Sequence, residues 1–198
     1  MTVKQSSEGT GGSTAGDGIV LVALGGGGPQ GSPDLPPLEE LGAGLANRLG
    51  VPLLPLVATG TAHGQLAALV ATAAAHPAGW FAALAVDVGR PLAEGGSWAQ
   101  VLGAWRQPVL LVVPAPLQES GQAAAGAALL ERSGVPLVGL LQWGGVWDPP
   151  ARRADGLPWL GVLARAEPPL EGGDRSLREE GEEGLEAALR LRLLRLRG

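Results

Sequence analysis

The hydrophobic positions of this chain fall into short unbroken runs separated by stretches of helical period. Residues 19–24, Ile-Val-Leu-Val-Ala-Leu, form the first run. Leu38, Leu41, Leu45 and Leu49 recur at three- and four-residue spacing, which predicts a helix over Leu38–Leu49 closed by Gly50. A second strand is expected over 51–57, where Pro52 and Pro55 suit an edge or irregular strand. The alanine-rich stretch 65–75 predicts a helix ending before Pro77, and 81–86 a third strand with Asp87 at its C-terminal end. Ser97 is placed to cap a helix reaching about Trp105. A strand over 109–113, a helix over 118–133 closed by Gly134, and strands over 136–141 and 159–163 complete the series.

Short, continuous, apolar strands alternating with helices predict an α/β fold: one domain built on a parallel sheet sandwiched by helices. Ligands in such folds bind at the C-terminal strand ends. Loops 25–33, 58–64, 87–96, 114–118 and 142–156 should therefore share one rim. Residues 1–18, rich in Ser, Thr and Gly, read as a flexible tail, and 19–198 as the folded unit. At its end, Glu179, Glu180, Glu182 and Glu183 precede Arg190, Arg192, Arg195 and Arg197, while Leu185, Leu189, Leu193 and Leu196 share a face. Acid first and base last complements a helix dipole, so a helix over about 175–197 is expected to dock on the domain. A dimer helix is the next reading and a membrane-surface helix the least favoured.

Composition narrows the chemistry. The 198 residues are 45% hydrophobic and 17% charged, a balance that supports a packed core. A net charge of −5 gives no basic footprint for nucleic acid. No apolar run is long enough to predict a membrane span, and no signal-peptide pattern opens the chain. Cysteine is absent, which excludes thiolate nucleophiles and thiolate metal sites and fits a cytoplasmic location. With only His63 and His76, a multi-histidine metal site is excluded too. Lys4 is the only lysine, so no lysine of the folded unit can clamp a phosphate, form a Schiff base or act as a base.

The stretch VDVGRPLAEGGSWAQVLGAWRQPVLLVVPAPLQESGQAAAGAALLERSGVPLVGLL resembles the dethiobiotin synthetase family of the P-loop NTPase class. The series matches in order: an acid closing a strand, a Pro-Leu, a Ser-aromatic helix start, a Pro-Val-Leu-Leu-Val-Val strand, a helical segment over 117–134 and a Pro-Leu-Val-Gly strand. LPWLGVL at 157–163 is similar to a late element of that family. Gly25 and Gly31 of GGGGPQGSP have the spacing of its Gly-x-Thr-x-x-x-Gly-Lys-Thr loop, and PLVATG at 55–60 is similar to its Lys-Pro-Val-x-Ser/Thr-Gly segment. The resemblance spans about residues 19–165. It implies a P-loop NTPase-like fold, a homodimer, and an ATP- and Mg²⁺-dependent ring closure on 7,8-diaminopelargonate with CO₂.

The functional positions depart from that pattern. Ser32 stands at the loop lysine and Pro33 at the hydroxyl that would hold Mg²⁺. Gly25, Gly26, Gly31 and Ser32 can still present a nest of backbone N–H groups to an anion, although proline removes one donor. Leu54 or its neighbour takes the place of the substrate lysine, and Thr59 keeps the hydroxyl. Arg90 is the available substitute cation, bulkier and always charged. Asp87 matches the metal-holding acid, alone a poor magnesium site. Trp143 stands at the asparagine that reads adenine; it can stack but cannot make paired hydrogen bonds. Trp143, Trp147 and Trp159 either cover the rim or form a partner surface. His63, expected on a rim loop, is read first as a solvated histidine and second as an acid or base.

No catalytic residue is assigned. The favoured expectation is a dethiobiotin-synthetase-like protein with degenerate nucleotide and substrate sites, inactive and acting by binding or regulation. The alternatives are a divergent working ATP-dependent synthase and a chelatase-type protein. The latter follows from the similarity of the strand–loop–acidic-helix opening to the sirohydrochlorin chelatase group, without that group's strand-end histidine.

Overall fold

The computed structural model describes residues 18–25, 37–56, 60–118, 120–163 and 184–192. The predicted α/β fold is present. Six strands, β1 (Gly18–Ala23), β2 (Leu53–Leu54), β3 (Trp80–Leu84), β4 (Val109–Pro114), β5 (Leu137–Trp143) and β6 (Trp159–Leu163), pair in parallel in the order β2-β3-β1-β4-β5-β6. The helices are α1 (Leu38–Leu49), α2 (Ala62–Ala73), α3 (Trp98–Ala104), α4 (Gln122–Arg132), α5 (Pro149–Ala154) and α6, residues 184–192.

The two sheet faces follow from the direction of each connection. A right-handed crossover to one side of a strand puts its helix on one face, and a crossover to the other side puts it on the opposite face. The β1-to-β2 connection runs one way, and those from β2, β3 and β4 run the other. Accordingly Ile19, Leu21, Phe81, Leu110 and Val112 pack with Leu38, Leu41 and Leu45 of α1 and with Leu185 and Leu189 of α6. Val20, Val22, Ala82, Leu84, Leu111 and Val113 pack on the other side with Leu66 and Leu69 of α2, Leu102 of α3 and Leu130 of α4. The central strands bury every residue, which is why their sequences are unbroken apolar runs rather than alternating ones.

Helix α1 and its left-handed Gly50 cap match the pattern, as does α3, where Ser97 and Gln100 form a reciprocal capping box. Other boundaries move for local reasons. Gly18, assigned to the tail, is buried in β1 opposite Trp80. The strand expected over 51–57 contracts to Leu53–Leu54, bracketed by two prolines that cannot donate to a ladder. Helix α2 starts earlier than predicted because the Thr61 hydroxyl accepts from Gly64 N at 3.2 Å. β3 ends at Leu84, so Asp87 stands beyond the strand rather than at its last position. The helix expected over 118–133 starts later, at Gln122; a 3₁₀ turn, Ala115–Leu117, precedes it, and Gly121 just before α4 adopts φ +72°, a left-handed conformation that helical backbone does not take.

Helix α5 was not anticipated. Asp148 caps it by accepting from Ala151 N at 3.0 Å, and Pro149 and Pro150 occupy first-turn positions where a missing N–H costs nothing. At its end Asp155 accepts from Leu157 N at 2.9 Å and from the Trp159 indole at 2.8 Å, and pairs with Arg152 at 3.3 Å. The Arg152 guanidinium lies 5.0 Å from the Trp159 ring centroid. Within the C-terminal helix expected over 175–197, residues 184–192 are helical and dock on α1, where Arg190 donates to the Arg48 carbonyl at 3.3 Å. The rest of that range, and residues 1–17, lie outside the described residues.

Candidate functional site

The connections reverse direction at β1. Its outgoing chain crosses to the α1 face, while those of its neighbours β3 and β4 cross to the other. In parallel α/β sheets such a reversal is the general place of ligand binding. Leu24 N still donates to Val112 O at 2.9 Å, and then Gly25, at φ +81°, turns the backbone out of the sheet. The glycine-rich segment thus begins at the switch point. Gly26, Gly31, Ser32 and Pro33, and Thr59 on the substrate side, lie outside the described residues.

Beside it, beyond β3, residues 87–90 form a turn in which Arg90 N donates to Asp87 O at 3.2 Å. The Asp87 carboxylate accepts from Gly89 N at 2.9 Å, and Val88 is buried beneath. Asp87 and Arg90 are both exposed on this anchored turn. Asp87 has an oxygen committed to its own turn, and among the described residues no three His, Asp or Glu side chains come together. Leu54, one candidate for the place of the substrate lysine, is 5% exposed and packs in the core.

Trp143 is the last residue of β5 rather than part of the following loop. It packs with the α1-side cluster and lines a cleft of about 240 Å³ together with Glu40, Leu41, Leu45, Arg48 and Leu163. Trp147 is half-buried. Trp159 opens β6, as predicted, and its indole is held in the α5–β6 corner by Asp155. The three tryptophans therefore do not line one rim.

Sequence reasoning missed Gln142. It is fully buried at the end of β5, and its amide donates to Gly144 O at 2.9 Å and Val146 O at 3.0 Å, shaping the loop after the strand. Gly145 lies 2.7 Å from the Ala115 side chain when given a Cβ, which fixes that loop against the end of β4. The one available signal was an amide inside an otherwise apolar strand.

His63 is on α2, not on a loop, and its Nδ1 accepts from the Trp105 indole at 3.0 Å. Its neighbour Ala62 donates N–H to Glu94 Oε1 at 2.8 Å. These contacts join residues 32 and 42 apart in sequence, so no local pattern announced them. The Ala62 hydrogen bond, a bond to its own backbone and the nearby His63 hold the Glu94 carboxyl below its ordinary value. A carboxyl lowered in the folded state contributes stability above its unfolded pKa, and that contribution disappears as pH falls through the folded value. Glu94→Gln is expected to flatten that part of the acid limb, as measured by urea midpoints from pH 3 to 7.

The strand order and the connections define a doubly wound parallel α/β domain whose connections reverse direction at β1. No protein-family model matches the chain, and the search of curated proteins also gives no match. Among the described residues no helix is long and apolar enough to cross a membrane.

Proposed function

We propose that this chain is a dethiobiotin-synthetase-like α/β protein that keeps the ligand crevice of its fold, has lost the groups that drive ATP turnover, and acts by binding or regulation. The observation that carries the reading is the position of the glycine run. It leaves the strand at which the connections reverse, next to the turn bearing Asp87, yet its sequence ends Gly31-Ser32-Pro33. A metal bridging a phosphate loop and a strand-end acid needs neighbouring strands, and β1 and β3 are neighbours. Backbone amides at such a loop hold an oxyanion, but without an ammonium group they do not neutralise the charge that builds on a transferring phosphoryl group. The buried Leu54 supports loss of the substrate cation as well.

The reading carries a homodimer and a cytoplasmic location with it, and no nucleic-acid or membrane partner. Calorimetric titration is expected to detect sulfate and ADP without a preference for MgATP. Phosphate release with 7,8-diaminopelargonate, bicarbonate and MgATP is expected to stay at the blank rate; turnover above the blank overturns the proposal. A working synthase is the second reading, and Arg90 on the same turn as Asp87 is the feature in its favour. Ser32→Lys combined with Pro33→Thr separates the two: gained MgATP affinity supports a degenerate loop, whereas turnover already present in the wild type supports arginine electrostatics.

A further inference from the structure

Away from the crevice, residues 91–97 close into a small antiparallel turn. Leu92 N donates to Gly96 O at 3.0 Å, and Pro91 bridges to Ser97. Glu94 lies within this turn and reaches the first residue of α2. Immediately beside that contact, His63 faces α3 through the Trp105 indole. Tryptophan Nε1–H is a donor only, so the bond requires an unprotonated Nδ1 on His63; an imidazolium carries protons on both nitrogens and cannot accept it. Histidine is the side chain that changes charge between pH 5 and 8.

We propose that His63 is a proton-sensitive latch with two alternative partners: neutral, it accepts from Trp105 and ties α2 to the end of α3; protonated, it releases Trp105 and pairs with Glu94, tying α2 to the loop that carries Asp87 and Arg90. The proton comes from solvent and is held at Nδ1. The surrounding charges favour this exchange. Helices α2 and α3 contain no charged residue. Arg106, next to Trp105, donates to the Gly134 carbonyl at 3.1 Å. Glu94 accepts from Ala62 N, next in sequence to His63, and the nearby His63 is among the causes that hold its carboxyl below the ordinary value. Acidification therefore loosens the α2–α3 contact and tightens the 87–96 loop, which carries Asp87 and Arg90.

The test is a ¹H–¹⁵N NMR titration of the full chain from pH 5 to 8. The Trp105 indole resonance is assigned by its disappearance in Trp105→Phe, and the His63 ring protons are followed in parallel. The indole signal is expected to move with the His63 midpoint and to ignore the His76 midpoint. In His63→Gln, whose amide oxygen accepts without titrating, it is expected to stay still. The Glu94 carboxyl ¹³C resonance is expected to move at the same midpoint as the pair forms. A pH-independent indole in the wild type, the same movement in His63→Gln, separate His63 and indole midpoints, or a Glu94 carboxyl that does not move at the His63 midpoint would each overturn the latch.

Discussion

Trp80→Ala is expected to cost about 3–5 kcal/mol of folding stability, read as a fall in the urea midpoint with little change in slope. Trp80 opens β3, is 2% exposed and stands in register opposite Gly18 at the start of β1. The indole occupies the space where a Gly18 side chain would be, so the two positions form one packing unit. Removing the indole leaves a cavity between two central strands that are held on both sides and cannot collapse freely. The coupling gives a sharper test than the single variant. Gly18→Ala forces its new carbon into the indole and is expected to cost about 1–3 kcal/mol in the wild type. In the Trp80→Ala background the same change meets open space and costs much less. A cycle that closes additively, within about 0.5 kcal/mol, would refute the packing unit.

Gly103→Ala is expected to destabilise the domain by about 3 kcal/mol, against the sign that helix propensity gives. Gly103 lies within α3, where alanine normally gains about 0.5–1 kcal/mol over glycine. Here the added carbon collides with the Ser133 carbonyl, which is backbone and cannot rotate away. The missing side chain lets α3 approach the end of α4 directly. Gly44 in α1 is the internal control: it is also within a helix, but an added carbon there meets nothing within 4 Å. Gly44→Ala should therefore raise stability by about 0.5–1 kcal/mol. Thermal or urea denaturation of both variants decides the matter, and the same sign in both would refute the close approach.

These two glycines show where sequence reading stops. Both lie in helical stretches, and nothing local distinguishes them; the difference is a backbone segment some thirty residues away. The candidate site divides in the same manner. The glycine run after β1 and the acid after β3 were legible, because loops following buried strands are marked by abrupt loss of apolar residues. That Asp87 lies on its own anchored turn and that Leu54 faces the core depends on where each strand ends. Trp143 shows this most directly: it is read as a loop residue when β5 is ended at 141, but with the strand running through Trp143 it packs toward α1.

The amino-acid sequence alone determined the alternation of strand and helix, the two-faced parallel sheet, the α1 boundaries and their Gly50 cap, and the Ser97 cap of α3. Each of these depends on period and on side chains bonding to backbone within a few residues. Only the tertiary structure decided the strand order that puts β1 at the switch point, the tie of His63 to Trp105, the reach of Glu94 to α2 and the contact of Gly103 with Ser133. Those features depend on which face each crossover takes and on which distant segments it brings together, information that a local hydrophobic period does not contain.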